Sequence, residues 1–281
     1  MQTEEIEDIE IQLLLDAIRL RYGYDFRSYN RASLNRRIRN CLTHCDFKHI
    51  SEIIPRLLHE GLFLQRLIST LTVTVSSMFR DPEVFLALRE KVMPVLATYP
   101  FLNIWHAGCA TGEEVYSMAI LLKEVGLYDR TQLFATDLDD EALAKAAEGV
   151  YPAEKLTEFA SNYRVAGGKR DFADYATVKG GLLRVDPALR KNVLFANHNL
   201  AGDGVFAEMQ LILCRNVLIY FDSTLQERVL TLFADSLARG GFLCLGTHET
   251  MEFSKLHDQF SPIVKKHRIC RKSIQHRRPA W

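Results

Sequence analysis

The residues best placed to do chemistry lie in one turn and at the end of the strand that follows it. The stretch Ala107-Gly-Cys-Ala-Thr-Gly-Glu-Glu114 comes after an apolar run, Leu102-Asn-Ile-Trp-His106, and before a helical pattern. Small side chains there let a ligand reach the backbone, and the start of the helix behind offers free N–H groups. There is no G-x-x-x-x-G-K-[ST], so a nucleoside triphosphate loop is excluded, and no G-x-G-x-x-G either. Glu113 and Glu114 stand where a pyrophosphate would need positive potential, which suits a ligand that is cationic or carries an ammonium group. Asp137 ends the next strand, the place from which an acid hydrogen-bonds a ribose diol. Read alone, an acid at a strand end is more often a helix N-cap, a job Asp139 or Asp140 could do equally well. Turn, acid and missing phosphate grip together point to a nucleoside without phosphate. S-adenosylmethionine, with its ribose, adenine, sulfonium and amino-acid tail, fits that description.

These residues need a wound α/β sheet behind them, and the pattern from Phe101 onward predicts one. Leu102–His106 is a strand, Ala107–Gly112 a turn, and Glu113–Glu124 a helix closed near Gly126. Gln132–Asp137 is a strand, followed by a helix over Glu141–Glu148 with Gly149 as its C′ residue. The run Tyr175-Ala-Thr-Val-Lys, Gly180-Gly181, Leu182-Leu-Arg-Val185 predicts a hairpin. Strands at Asn192–Ala196 and Gln210–Cys214 precede a helix over Thr224–Ala238 that ends at Gly240-Gly241, and another strand starts at Phe242. Repeated βα units imply a mostly parallel sheet with helices on both faces.

Ahead of the sheet the pattern is helical. Leu34, Ile38, Cys41 and Leu42 share one face of an arginine-rich helix, Ser51 is a plausible N-cap for Ser51–His59, and Phe63–Leu71 is apolar at helical spacing. Thr72–Arg80 reads as extended, and Asp81-Pro82 restarts a helix with Asp as N-cap and Pro at the first helical position. The expected organisation is a helical domain over 1–71, a linker over 72–81, and a sheet domain over 82–281 with an inserted β subdomain around 170–190. A short basic tail follows Lys265.

Composition sets the outer bounds. The 281 residues are 48% hydrophobic and 25% charged, as in ordinary globular proteins. Thirty-five basic residues balance thirty-five acidic ones, which argues against a dedicated nucleic-acid binder. No apolar run approaches the roughly 18 residues of a membrane span, and the acidic N-terminus has no signal-peptide character. None of the six cysteines forms a C-x-x-C pair, so no disulfide scaffold, zinc site or redox motif is expected, and a reduced cytoplasmic setting is. His106, His198 and His248 lack metal-ligand spacing, so no metal is expected. Charge is nevertheless uneven: Glu4 to Asp16 is acidic, while Arg31, Arg36, Arg37 and Arg39 crowd one helix. That helix presents either a solvated face or a docking surface for an acidic partner.

Several stretches together resemble the CheR family, the chemotaxis receptor methyltransferases that esterify glutamate side chains with S-adenosylmethionine. They are the arginine-rich helix after Tyr22-Gly-Tyr-Asp-Phe, Thr72–Asp81, Trp105–Glu114, Ala135-Thr-Asp-Leu-Asp139, Cys214-Arg-Asn-Val-Leu-Ile-Tyr-Phe-Asp222 and Gly246-Thr-His-Glu249. The resemblance implies a small helical domain, a linker and a Rossmann-like methyltransferase domain carrying a small antiparallel subdomain. It places the cofactor, and the product S-adenosylhomocysteine, against Thr74, Ser76, Arg80, Glu114, Asp137, Asn199, Leu200, Cys214 and Arg215. It puts Arg80 and Tyr220 at the methyl-transfer site. Thr74 stands where the family usually has Asn, Ser76 where it has Thr, and Met78 where it has the first Phe of Phe-Phe-Arg.

What the resemblance implies chemically needs no catalytic base. A glutamate, with a reference pKa of about 4.3, is ionised at neutral pH. The enzyme has to align oxygen, methyl carbon and sulfur and to exclude water. Arg80 suits a carboxylate, Glu114 the cofactor's ammonium, and Tyr220 can donate one hydrogen bond to the substrate carboxylate. The implied partner is the glutamate-rich cytoplasmic helices of a methyl-accepting chemotaxis receptor, to which Arg31, Arg36, Arg37 and Arg39 are complementary. No nucleic acid, no membrane insertion and a monomer are expected. Three rival readings compete: a methyltransferase with another substrate, a cofactor-binding signalling module without catalysis, and a nicotinamide-dependent dehydrogenase, which the missing pyrophosphate turn disfavours.

Overall fold

The structure, a computed structural model, describes residues 2–45 and 47–274. Four helices come first: α1 (Gln2–Tyr22), α2 (Arg31–Cys45), α3 (Ile53–His59) and α4 (Phe63–Leu71). Leu34, Ile38 and Cys41 of α2 meet Ile11, Leu14, Leu15 and Ile18 of α1 and Leu57, Phe63 and Leu67 beyond in one buried cluster. The helical spacing of these apolar residues is what closes it. Ser51 does not cap α3, which is preceded by a short 3-10 turn. Its hydroxyl donates instead to Glu10 Oε1 at 2.6 Å; Ser51 lies inside that turn, with His49 at the capping position.

After α4 the chain runs irregularly to α5 (Pro82–Ala87), and a π turn joins α5 to α6 (Met93–Leu96). Pro82 opens α5 as expected, but Asp81 is left-handed (φ 54°) and its side chain makes no cap bond. The carboxylate has a charged partner elsewhere, described below.

The sheet region then follows in order: β1 (Leu102–Ala107), α7 (Glu113–Glu124), β2 (Thr131–Asp137), α8 (Asp140–Glu148), β3 (Val150–Pro152), α9 (Leu156–Val165), β4 (Ala176–Lys179), β5 (Leu182–Val185), β6 (Val193–Asn197), β7 (Met209–Cys214), α10 (Ser223–Ser236), β8 (Leu237–Leu245), β9 (Phe260–Val264) and β10 (Ile269–Lys272). Seven strands form one mixed sheet in the order β6-β2-β1-β7-β8-β10-β9. The first five in that order are parallel, and β10 runs antiparallel to both neighbours. Alternating residues feed two cores. Ile104 and Leu211 join the layer with α7, while Trp105 and Ile212 join that with α10. Burial on both faces explains why β7 is apolar throughout.

β4 and β5 form the expected hairpin, and Gly180 and Gly181 both take positive φ (60° and 74°), as a two-residue turn of this hand demands. The short β3, unread in the sequence, pairs with β5 and completes a three-stranded antiparallel sheet. Two further expectations are corrected. Helix α10 ends before Gly240-Gly241, because Leu237 is already extended (ψ 132°) and opens β8. Gly240 (φ 76°) lies inside that strand near a register irregularity opposite Met209 and Leu211. The chain after Lys265 is not simply a basic tail, since Ile269–Lys272 is β10, inside the sheet. The end of that stretch, 275–281, lies outside the described residues.

Candidate active site

A cleft of about 190 Å³ opens where β1, β2 and β7 end, and is closed on its far side by α2 and the segment between α4 and α5. Ligand sites in wound sheets belong at such carboxyl ends. The turn after β1 is held flush with its neighbour: the N–H groups of Gly108 and Cys109 both donate to the Thr136 carbonyl, at 2.8 and 2.9 Å. Gly108 is obligatory there. Its φ is 77°, and a Cβ would sit 2.5 Å from the Val217 side chain.

Asp137 faces this turn. Its Oδ2 accepts from Ala110 N at 2.8 Å and its Oδ1 from Asp139 N at 3.1 Å. Burial pushes its carboxyl above the ordinary carboxylate range, against the pull of those two N–H groups. Capping α8 falls to Asp139, which accepts from Glu141 N and Ala142 N. Asp139 also accepts from the hydroxyls of Ser69 (2.9 Å) and Thr72 (3.2 Å), tying the end of α4 to the sheet.

Glu114 is wired into a charged network. Its Oε1 lies 2.9 Å from His106 Nδ1, and its Oε2 accepts from Arg215 Nη1 at 3.0 Å. Arg215 Nη2 donates to Asp81 Oδ2 at 2.7 Å and to the Arg80 carbonyl at 2.9 Å. This is the partner that takes Asp81 away from its helix. Burial alone would raise the Glu114 carboxyl, but the His106 hydrogen bond and the Arg215 charge outweigh it and hold it below the usual range. Glu113 points the other way, accepts from Thr111 Oγ1 at 2.7 Å, and is pushed up by burial.

Arg80 and Tyr220 both line the cleft. Among the described residues the Arg80 side chain has no ion pair, and its one hydrogen bond is a long one to the Val75 carbonyl at 3.4 Å. The Tyr220 hydroxyl has no hydrogen-bond partner there either. The backbone around Tyr220 is fixed by the segment before α2: Asn30 N donates to the Tyr220 carbonyl at 2.7 Å, Asp222 N to the Ser28 carbonyl at 2.8 Å, and Tyr29 bridges Phe221. Of the other residues singled out in the sequence, Ser76, Asn199, Leu200 and Arg215 line the cleft, whereas Thr74 and the fully buried Cys214 do not. Asn199 also organises its own turn, its Oδ1 accepting from Ala201 N at 3.0 Å.

The four arginines of α2 divide. Arg31, Arg36 and Arg39 are exposed; Arg31 reaches Gln12 (3.2 Å) and Arg39 pairs with Glu7 (2.5 Å). Arg37 turns into the cleft, donates to the Thr72 carbonyl at 2.6 Å and lies 5.9 Å from the centre of the Tyr220 ring. Sequence reasoning missed Tyr29, Asn30 and Ser33, which reach the cleft from the helical region and carry no local signal. It also gave no role to Glu249. That carboxylate accepts from the N–H groups of Asn216 (3.2 Å), Val217 (2.8 Å), Leu218 (2.7 Å) and Gly246 (2.5 Å), and so fixes the turn that leads to Tyr220.

A cleft at the carboxyl ends of parallel strands, with an acid at the end of β2 and no phosphate-binding loop, is compatible with an enzyme that takes a nucleoside cofactor. The comparisons agree: the family described as CheR methyltransferase, SAM binding domain, matches residues 74–269, and the CheR methyltransferase all-alpha domain matches residues 9–72. A Pseudomonas putida protein named "Putative methyltransferase Cher3" is 52% identical, over 97% of this chain and 100% of its own length. The chemotaxis protein methyltransferases of Escherichia coli (34% identical, 83% of this chain and 78% of that one) and Listeria monocytogenes (31%, 81% and 84%) are also similar. The chain belongs to the CheR methyltransferase family, and its cofactor is S-adenosylmethionine.

Proposed function

We propose that the chain transfers a methyl group to glutamate side chains of a methyl-accepting chemotaxis receptor, forming glutamate methyl esters. The observation that carries this reading is a pair of uncommitted donors, the Arg80 guanidinium and the Tyr220 hydroxyl, on the wall of the same cleft. Ionised carboxylate is the substrate such donors suit. Two relatives named chemotaxis protein methyltransferase support the same direction.

The cleft fits the cofactor on its own chemistry. Asp137 is anchored by backbone N–H groups with its carboxylate towards the space where ribose hydroxyls would bind, and no cation at the Gly108–Gly112 turn calls for a phosphate. S-adenosylmethionine supplies an electrophilic methyl group on a sulfonium. The chain's residues do the rest. Asp137 holds the ribose, Glu114 the ammonium, Asn199 and Leu200 the adenine side, and Ser76 and Arg215 the amino-acid end. Thr74 and Cys214 do not line the cleft and are given no contact with the cofactor in this reading. Arg80 and Tyr220 orient the substrate carboxylate, and the apolar neighbours Val217 and Phe221 keep water away. In this reading 1–71 docks the receptor through Arg31, Arg36 and Arg39, 72–81 is a linker that completes the site, and 82–281 carries out transfer.

Methyl-labelled cofactor, purified protein and receptor-bearing membranes test the proposal. The expected product is labelled receptor that releases its label as methanol in mild alkali. Alkali-stable label would exclude a carboxyl ester, and an unlabelled receptor would leave another substrate or a cofactor-binding module without catalysis. Either result overturns the reading.

A further inference from the structure

The helical region sends one aromatic side chain into the cleft. Tyr29, in the segment between α1 and α2, lines it together with Asp137, Leu138 and Phe221. Its ring centre lies 4.9 Å from that of Phe26 in the helical core and 4.9 Å from that of Phe221 in the sheet core. Tyr29 therefore packs on both apolar clusters at once. Its backbone is held as well, by a β-bridge to Phe221 and by Asn30 N donating to the Tyr220 carbonyl at 2.7 Å. A ring wedged between two others, on a tethered backbone, sets the position of its hydroxyl in advance.

Packing accounts for the ring and leaves the hydroxyl over. Among the described residues that hydroxyl has no hydrogen-bond partner, where a buried tyrosine normally finds one. It is not sealed off either, as the orphan ring nitrogens of His106 and His198 are. Burial pushes its pKa up, and the charge of Asp137 pushes it further. The hydroxyl is thus a protonated donor close enough to feel that carboxylate, although no bond joins the two.

What fits between a donor and an acceptor that do not touch is a group that is both. A ribose hydroxyl has one O–H to give and two lone pairs to receive with. The Asp137 oxygens each accept one N–H, from Ala110 and Asp139, which leaves lone pairs for a ligand. We propose that Tyr29 is a cofactor-binding residue supplied by the helical region, its hydroxyl donating to the ribose hydroxyl that Asp137 accepts from. Bound S-adenosylmethionine then touches both parts of the chain. Because α2 begins at Arg31, two residues on, a filled site also fixes the start of that helix.

Calorimetry on the full chain, with S-adenosylhomocysteine and its 2′-deoxy and 3′-deoxy ribose analogues, tests this. Tyr29→Phe keeps the ring and removes only the hydroxyl, so unfolding without ligand should stay as in wild type. S-adenosylhomocysteine should bind the variant about twofold to tenfold more weakly, the worth of one ordinary hydrogen bond. With the analogue that lacks the bridged hydroxyl, variant and wild type should bind alike. Amide exchange over residues 28–34 should slow when S-adenosylhomocysteine binds, and slow less in Tyr29→Phe. Wild-type affinity in the variant overturns the proposal. So does a penalty of equal size with all three ligands, which would place the effect of the hydroxyl away from the ribose.

Discussion

Arg215 and Arg36 carry the same guanidinium into opposite surroundings. The Arg215 side chain is 1% exposed, and its two terminal nitrogens are taken up by Glu114, Asp81 and the Arg80 carbonyl, while its buried Nε has no partner. Arg36 stands exposed on α2. A buried charge costs several kcal/mol to desolvate and is tolerated only where its partners are fixed, so the Arg215 network is rigid by necessity. An exposed charge costs little to place and gains little from any one partner. The first arrangement suits a cleft that must hold a small ligand in one geometry. The second suits an encounter with a large surface, where many weak attractions add.

Backbone strain follows the same division. Of the five non-glycine residues with positive φ among the described residues, four, Phe79, Asp81, Ala110 and Asn216 (52°, 54°, 48° and 62°), lie in segments that build the cleft, and the fifth, Arg268 (52°), lies in the turn between β9 and β10. Non-glycine residues in that region cost of order 1–3 kcal/mol each. No comparable residue occurs among the described residues of α1 to α4. The strain is sustained by specific bonds: Arg215 to Asp81, Asp137 to Ala110, and Glu249 to Asn216.

The sharpest way to break the contrast is to remove the buried guanidinium. Arg215→Met leaves Glu114 and Asp81 without their common cation, and deleting one member of a buried pair costs about 3–5 kcal/mol. Urea denaturation should show that loss, together with weakened cofactor binding. Full stability would mean that the network adds nothing to the fold. Asp137→Ala comes next. A hydrogen bond to a charged group is worth about 1.5–3 kcal/mol, so calorimetry should find S-adenosylhomocysteine binding about tenfold to a hundredfold weaker. Asp139 and not Asp137 caps α8, so the helix should persist, but the lost bond to Ala110 should lower thermal stability as well, and affinity has to be compared below the variant's own unfolding transition. Unchanged affinity would remove Asp137 from the ribose site.

Much of this was readable in the residues, and the unreadable parts share a cause. Helix Glu113–Glu124 and the Gly180-Gly181 hairpin follow from local periodicity and turn chemistry, and both stand where they were expected. The small-residue turn and Asp137 were legible because strand order in wound sheets constrains where a ligand can sit. The Arg215 network was not, since it joins β1, α7, β7 and the start of α5, four elements distant in sequence. Ser51 and Asp81 read as caps because each has the right residue type; Arg215 draws the Asp81 carboxylate away from its helix, and Ser51 lies inside a 3-10 turn ahead of α3. Strands β9 and β10 were hidden by Lys265, Lys266 and His267 between them: β9 alone lies at the sheet edge and exposes most of its residues.

Tyr220→Phe tests the chemistry more gently than either cleft variant above. Loss of one ordinary hydrogen bond, about 0.5–1.5 kcal/mol, should lower kcat by roughly twofold to tenfold. Cofactor affinity should persist, because the hydroxyl has no partner among the described residues and supports no other group. A wild-type kcat would leave Arg80 to orient the substrate carboxylate alone.

The smallest effect belongs to the exposed arginines, and the structure decides which ones the test should contain. Arg37 has to be left out. It lines the cleft, is bound to the Thr72 carbonyl and lies near the Tyr220 ring, so its loss would mix docking with the site. Arg39 is already paired with Glu7, so part of its charge is spent on α1. Arg36→Ala with Arg39→Ala should therefore cost about 0–1 kcal/mol for each residue, raising the receptor KM a few-fold at low salt. Attraction between exposed charges is screened beyond about 10 Å at 0.1 M salt, so the difference from wild type should shrink as salt increases. Affinity for S-adenosylhomocysteine should not change. A double variant with wild-type KM across the salt series would make this face merely solvated. A fall in cofactor affinity would show instead that α2 senses charge at its surface through Arg37, and the separation between buried and exposed guanidinium would fail at that residue.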